Sequence, residues 1–128
     1  MRLLLDTHLL IWAAYEQPTL SKRARALIAD PTTELEFSAV SIWEMAIKQA
    51  LGRKDFEVDT AGLRRGLLAN DYAELPLTSG HGLAVLDLLD HHRDPFDRLL
   101  VAQAKTERMA LLTADERMTA YGDFVVRV

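Results

Sequence analysis

The stretch RLLLDTHLLIWAA, residues 2–14, decides how this chain is read. Three successive leucines with no polar interruption form a short continuous apolar run, the pattern of a strand buried on both faces. Asp6-Thr7 ends the run. Leu9, Leu10, Trp12 and Ala13 then recur at helical spacing. A strand with two apolar faces needs a layer on each side, which points to a sheet sandwiched by helices.

The rest of the chain repeats this alternation. SKRARALIAD (21–30) predicts a helix with Ser21 as N-cap and Pro31 as the stop. ELEFS (34–38) alternates and reads as the second strand. SIWEMAIKQALG (41–52) predicts a helix closed by Gly52 in the left-handed position. The pattern is lost over 53–59, an exposed connection. AGLRRGLLAND (61–71) reads as a weaker helix, and AELPL (73–77) as a short strand that Pro76 keeps at an edge. SGHGLAVLDLLDHH (79–92) and PFDRLLVAQAKTERM (95–109) predict two more helices. ALLTAD (110–115) is a fourth strand, and DFVVRV (123–128) a fifth candidate. Strands separated by helices imply an α/β fold, with a mostly parallel central sheet of four to five strands and helices on both faces. With no repeat, low-complexity segment or linker, residues 1–128 are expected to form one domain.

Composition narrows the chemistry. Zero cysteines exclude disulfides, thiolate metal sites and a cysteine nucleophile, and suit a reducing cytoplasm. The apolar opening carries Asp6 and lacks a small-residue cleavage site, so no secretory signal is expected, and no run approaches membrane-spanning length. A net charge of −4 means that any nucleic-acid binding must come from a local patch.

Four carboxylates occupy matching places. Asp6 ends the first strand, and Glu44 lies near the start of the helix after the second. Asp97 sits in the first turn of the 95–109 helix, and Asp115 directly follows the fourth strand. In an open parallel sheet these places gather at the carboxyl ends of the strands, where ligand sites form. Carboxylates held that close repel one another, and a hard divalent cation such as Mg²⁺ or Mn²⁺ relieves the repulsion. Each acid also has a structural role open to it. Asp6 and Asp115 stand where helix caps stand, and Ser41-x-x-Glu44 has the form of a capping box. Asp94 before Pro95 matches an N-cap with proline at the first helical position. Asp97 would then be favoured by the helix dipole alone. Capping does not explain why all four acids fall at one edge.

LLLDTHLLIW, SAVSIWEMAIK, RDPFDRLLVAQA and LLTADERM, in this order and at these separations, together resemble the PIN-domain ribonucleases, and among them the VapC-type toxins of bacterial toxin–antitoxin pairs. The resemblance covers nearly the whole chain. It implies a PIN-like three-layer fold and a metal-dependent endoribonuclease, a toxin that hydrolyses RNA phosphodiester bonds with Mg²⁺ or Mn²⁺ and leaves a 5′-phosphate and a 3′-hydroxyl. Carried over by motif, the acids are Asp6, Glu44, Asp97 and Asp115, supported by Thr7 and Thr113. Asp6 and Asp97 would be the central ligands; whether Glu44 and Asp115 ligate directly or through water stays open, as does the number of metals. The match also divides the two aspartates of RDPFD into a cap, Asp94, and a ligand, Asp97. The implied partners are the RNA substrate, a cognate antitoxin and a second copy of the chain.

Without the four acids the remaining charges balance, and Arg98, Lys48, Arg53 and Lys54 are the candidate RNA contacts. Histidines 8, 81, 91 and 92 match no zinc spacing, and His91-His92 reads as a helix end. Trp12 and Trp43 read as packing or interface residues in preference to base-stacking platforms. A haloacid-dehalogenase-type phosphotransferase would need a second acid where His8 stands. A receiver domain would need paired acids near the first strand and a lysine after a late one. The remaining alternative is a catalytically silent interaction module on the same fold.

Overall fold

A computed structural model describes residues 1–128. The chain runs β1 (Arg2–Leu5), α1 (Thr7–Ala14), α2 (Lys22–Ala29), β2 (Glu34–Ser38), α3 (Ala39–Ala50), α4 (Thr60–Ala69), β3 (Ala73–Leu75), α5 (Ser79–Ala84), α6 (Pro95–Glu107), β4 (Ala110–Thr113) and β5 (Val125–Arg127). Single 3-10 segments follow α5 (Val85–Asp87) and β4 (Glu116–Tyr121). The sheet order is β3-β2-β1-β4-β5, and every pair is parallel, where the sequence predicted a mostly parallel sheet.

The apolar run of β1 is placed at the centre. Leu3 and Leu5 face one layer with Leu9, Leu10, Ala24, Leu63 and Leu67. Leu4 points the other way, against Leu100, Val101 and Ala104 of α6. Each fully buried leucine contributes roughly 1.5–3 kcal/mol by leaving water, so both faces of β1 anchor a core. The chain winds outward from β1 through β2 to β3, then returns to lay β4 on the other side of β1. The direction of winding therefore reverses between β1 and β4. Their carboxyl ends diverge into α1 on one side and the 3-10 segment on the other, the crevice where open parallel sheets bind ligands.

Two local expectations change. The helix predicted over 79–92 stops at Ala84 and, after one 3-10 turn, gives way to an irregular path. Of its leucines only Leu88 reaches the core, while Leu83, Leu86 and Leu89 lie exposed. The Arg98 guanidinium donates to the carbonyls of Val85, Leu89 and His92, replacing helical N–H donors in this segment. Consequently His91-His92 does not end a helix.

The second change concerns α3, which begins at Ala39 with Ser38 as its N-cap. Ser41 and Glu44 are therefore interior positions and form no capping box; Ser41 Oγ instead donates to Thr7 Oγ1 at 2.9 Å, whose own proton goes to Glu44. Trp43, expected to pack or to serve an interface, is 56% exposed and edge-on to Phe96 at 5.4 Å. Other punctuation is where the sequence put it. Gly52 has φ +64°, and Ser21, Asp94 and Asp115 cap their helices.

Candidate metal centre

Asp6 leaves the end of β1 and caps α1, its Oδ1 accepting from Leu9 N at 2.9 Å. Its other oxygen accepts from Thr113 Oγ1 at the end of β4. Thr113 Oγ1 in turn accepts from the backbone N–H of Asp115 at 3.0 Å. Adjacent parallel strands thus lock two acids and a hydroxyl into one hydrogen-bonded unit. Only 4% of Asp6 is exposed, and no cation pairs with it in the chain. Burial pushes its carboxyl above the usual range, although the Thr113 and Leu9 hydrogen bonds pull the other way.

Asp97 enters the same crevice from the first turn of α6. Asp94 caps this helix through Phe96 N at 2.9 Å and Asp97 N at 3.2 Å, with Pro95 at the first helical position. The cap expected at Asp94 is the local geometry observed, and it leaves the Asp97 side chain turned into the crevice. Asp97 Oδ2 lies 2.8 Å from His92 Nε2, which also approaches Asp115 Oδ2 at 3.7 Å. Burial, then the charge of Asp94, drives the Asp97 carboxyl up to about 6, and the His92 hydrogen bond only partly opposes this. The charge of Asp6 adds to the rise, which places the two acids within electrostatic reach.

Asp115 is held differently. The Arg117 guanidinium donates to both of its oxygens, at 3.1 and 2.9 Å, and keeps it below the usual carboxylate range. Glu44 is set back from the cluster, in the second turn of α3 and 4% exposed. It accepts from Thr7 Oγ1 at 2.9 Å and from Lys48 Nζ at 2.9 Å. Its charge adds to the rise of the Asp6 carboxyl, and Thr7, the neighbour of Asp6, ties it to β1 by hydrogen bond.

The structure therefore brings Asp6, Asp97, Asp115, Thr7 and Thr113 to one crevice, with Glu44 behind them. Of the candidate RNA contacts, Lys48 is paired with Glu44, Arg53 with Asp55 at 3.3 Å, and Lys54 is exposed. Arg98 is engaged within the chain by three carbonyls and the Tyr121 hydroxyl, which leaves it poorly placed to meet a phosphate.

Two participants escaped the sequence reading. His92, Asp97 and Asp115 each offer a ligand atom, and these atoms lie within 4.8 Å of one another. The available signal was the Asp-Pro turn that separates His92 from α6 and lets the chain fold back over the first helical turn. Arg117 was missed because its partner is two residues away, a separation that a regular helix does not bring together. The donor set, carboxylate oxygens with one imidazole nitrogen, suits a divalent cation of hard or borderline character. Buried negative charge without a matching internal cation is the condition that such an ion relieves.

The PIN domain family profile matches residues 3–123. Among solved structures, the chain is similar to VapBC2 from Rickettsia felis, bound there to a promoter DNA fragment: TM-score 0.70, 13% identity, covering 100% of this chain and 98% of the other. It is also similar to VapBC-1 from nontypeable Haemophilus influenzae (TM-score 0.64, 20% identity, 97% and 98% covered). A toxin–antitoxin complex from Klebsiella pneumoniae matches at TM-score 0.62 and 18% identity, with 96% and 94% covered. A sequence comparison with curated proteins returns no match. At these identities the structural likeness speaks for the fold, and the profile match spans nearly all of the chain: the protein belongs to the PIN domain family.

Proposed function

We propose that residues 1–128 act as one nuclease domain, a Mg²⁺- or Mn²⁺-dependent endoribonuclease that is the toxin of a toxin–antitoxin pair. The observation that carries this reading is the unneutralised acidity of the crevice. Asp6 is buried with no cationic partner, and Asp97 is pushed up to about 6 by burial and neighbouring negative charge. Folding would select against such a cluster unless something brought to it repaid the strain.

Asp6, Asp97 and Asp115 would hold the ion, with His92 beside them and Glu44 behind, directly or through water. Bound there, a divalent ion lowers the pKa of a water and steadies charge on a scissile phosphate. The chain's own residues do the positioning. Thr113 fixes the Asp6 carboxylate against Asp115, and Thr7 fixes Glu44. The amino end of α6 adds a dipole that favours negative charge at Asp97. Arg117 keeps Asp115 ionised while leaving it partly exposed toward the crevice.

The toxin assignment draws on the similar folds solved as toxin–antitoxin complexes, and with it comes a cognate antitoxin as partner. A homodimer is supported by Trp43, Ile47 and Leu51, exposed at four-residue intervals on one face around α3. No helix is long and apolar enough to cross a membrane.

The test is cleavage of a labelled pool of structured and unstructured RNAs by antitoxin-free protein in Mg²⁺, Mn²⁺ or chelator. Metal-dependent cutting, lost in Asp97→Asn and kept in Asp94→Asn, is the expected result. No cutting in any metal, with no thermal stabilisation by Mn²⁺, would favour a silent interaction module.

A further inference from the structure

We propose that the cavity beside the acidic crevice, between α1 and the 51–58 connection, is a nucleotide subsite that takes one base of the RNA strand against its aromatic walls while Lys48 and Arg53 hold the adjoining phosphate. The proposal rests on the nuclease reading and extends it from where the strand is cut to how it is gripped.

The cavity measures about 600 Å³, within the range of small-molecule sites. His8, Trp12, Tyr15 and Phe56 supply its flat walls. His8 and Trp12 lie one helical turn apart on α1 with ring centroids 6.0 Å apart, tilted by 41°. Lys48 Nζ stands 6.0 Å from the Phe56 ring centroid and 2.9 Å from Glu44 Oε2, so one cation touches both the cavity and the acidic crevice. Thr7 joins them as well, since it lines the cavity and donates to Glu44. Trp12, expected to pack or to serve an interface in preference to stacking on a base, faces this space.

Charge decides what fits. A crevice of buried acids in a chain of net charge −4 repels a polyanion on either side of the scissile bond. Affinity must therefore come from interactions that do not depend on the crevice, and stacking on aromatic rings is of that kind. Arg53 is held only by an exposed pair with Asp55, a weak contact that a phosphate can displace. An apolar protein segment in the same cavity would instead take the charges of Lys48, Arg53, Asp55 and Glu57 out of water, a cost that the Lys48–Glu44 and Arg53–Asp55 pairs do not repay.

The chain has two tryptophans, so Trp43→Phe leaves Trp12 as the only one, and Trp43 is exposed enough to be replaced without cost to the core. In a Trp43→Phe, Asp97→Asn protein, Trp12 fluorescence would be titrated with a short single-stranded oligoribonucleotide and with the same backbone lacking its bases. Saturable quenching by the intact strand, lost with the abasic strand, is expected. His8→Ala and Phe56→Ala should each weaken binding on the order of tenfold. The Mn²⁺-induced thermal shift of each, measured with Asp97 intact, should match that of the parent. Equal quenching by both strands, no change in either variant, or quenching by an apolar aromatic peptide and not by RNA would overturn the subsite. If wild-type protein still cuts RNA, only the subsite falls; if it neither cuts nor binds RNA, the nuclease reading falls too.

Discussion

Helix α6 carries a carboxylate at each end, and the two are treated in opposite ways. Glu107, its last residue, stands where the helix dipole disfavours negative charge. The chain compensates from within. His81 Nε2 reaches Glu107 Oε2 at 3.0 Å, and Arg2 donates to the Glu107 carbonyl at 3.1 Å while pairing with Glu36 at 2.7 Å. His81 is in turn fixed by Thr78, whose N–H donates to Nδ1 at 3.1 Å. Asp97, at the other end, stands where the dipole favours it, yet its carboxyl is driven up to about 6. Around it are Asp94, Asp6 and Asp115, and the one imidazole nearby is shared between Asp97 and Asp115. One end is a closed network in which each carboxylate finds its hydrogen-bond donor within the chain. The other is open, with negative charge left for something outside the chain to match. Proximity of histidine to carboxylate therefore does not by itself mark a functional site; the surplus does.

The largest effect that could break this contrast is on cleavage. Asp97→Asn should reduce metal-dependent RNA cutting on the order of 100-fold or more, whereas His81→Gln at the closed end should leave the rate within a few-fold. Comparable losses at both ends, in folded proteins, would show that the open end is not special.

A second effect reverses the usual sign of a lost charge. The folded value of about 6 lies above the ordinary 3.8, so folded protein keeps a proton that unfolded chain has released. In chelator, this group makes stability fall as pH rises from about 4 to about 6 and adds no further change above that. Asp97→Asn should match wild type near pH 4 and exceed it by about 2 kcal/mol at pH 7, after allowance for water reaching the side chain. Denaturant melts across this window test it, and saturating Mn²⁺ should favour wild type over the variant.

At the closed end, Arg2→Ala leaves Glu36 buried without its guanidinium. A loss of about 2 kcal/mol is expected, discounted for the partial exposure of Arg2. The Mn²⁺-induced shift in melting temperature should be unchanged, since the two ends share a helix and no charges. The smallest effect belongs to Asp94→Asn. Asparagine caps nearly as well as aspartate, so stability should move by only about 0.5 kcal/mol and cleavage should persist. Loss of cleavage in this variant would assign Asp94 to the metal centre and end its separation from Asp97.

Much of this was legible in the primary structure. The apolar run of β1 required layers on both sides because every side chain in it had to be buried. The caps at Asp6, Asp94 and Asp115 were readable because a cap is a contact over two or three residues. These local signals put each acid at a strand end or helix start, and parallel connectivity then gathered those places at one edge. The failures share a cause. The 88–92 segment was read as the end of a helix because leucines recur there, but periodicity states a preference, and most of those leucines face solvent.

By itself, then, the sequence determined the element types, the parallel class of the sheet and the edge at which the acids meet, since each follows from short-range pattern and burial. Tertiary structure alone decided that Glu44 stands behind the cluster, that His92 enters it, that Arg98 is consumed by carbonyls and that Trp12 faces a cavity. Those outcomes depend on pairs such as Thr113 with Asp6, 107 residues apart, or on the path of a segment with no period to guide it. Contacts of that kind exist only once the sheet has closed around β1 and set its neighbours' distances.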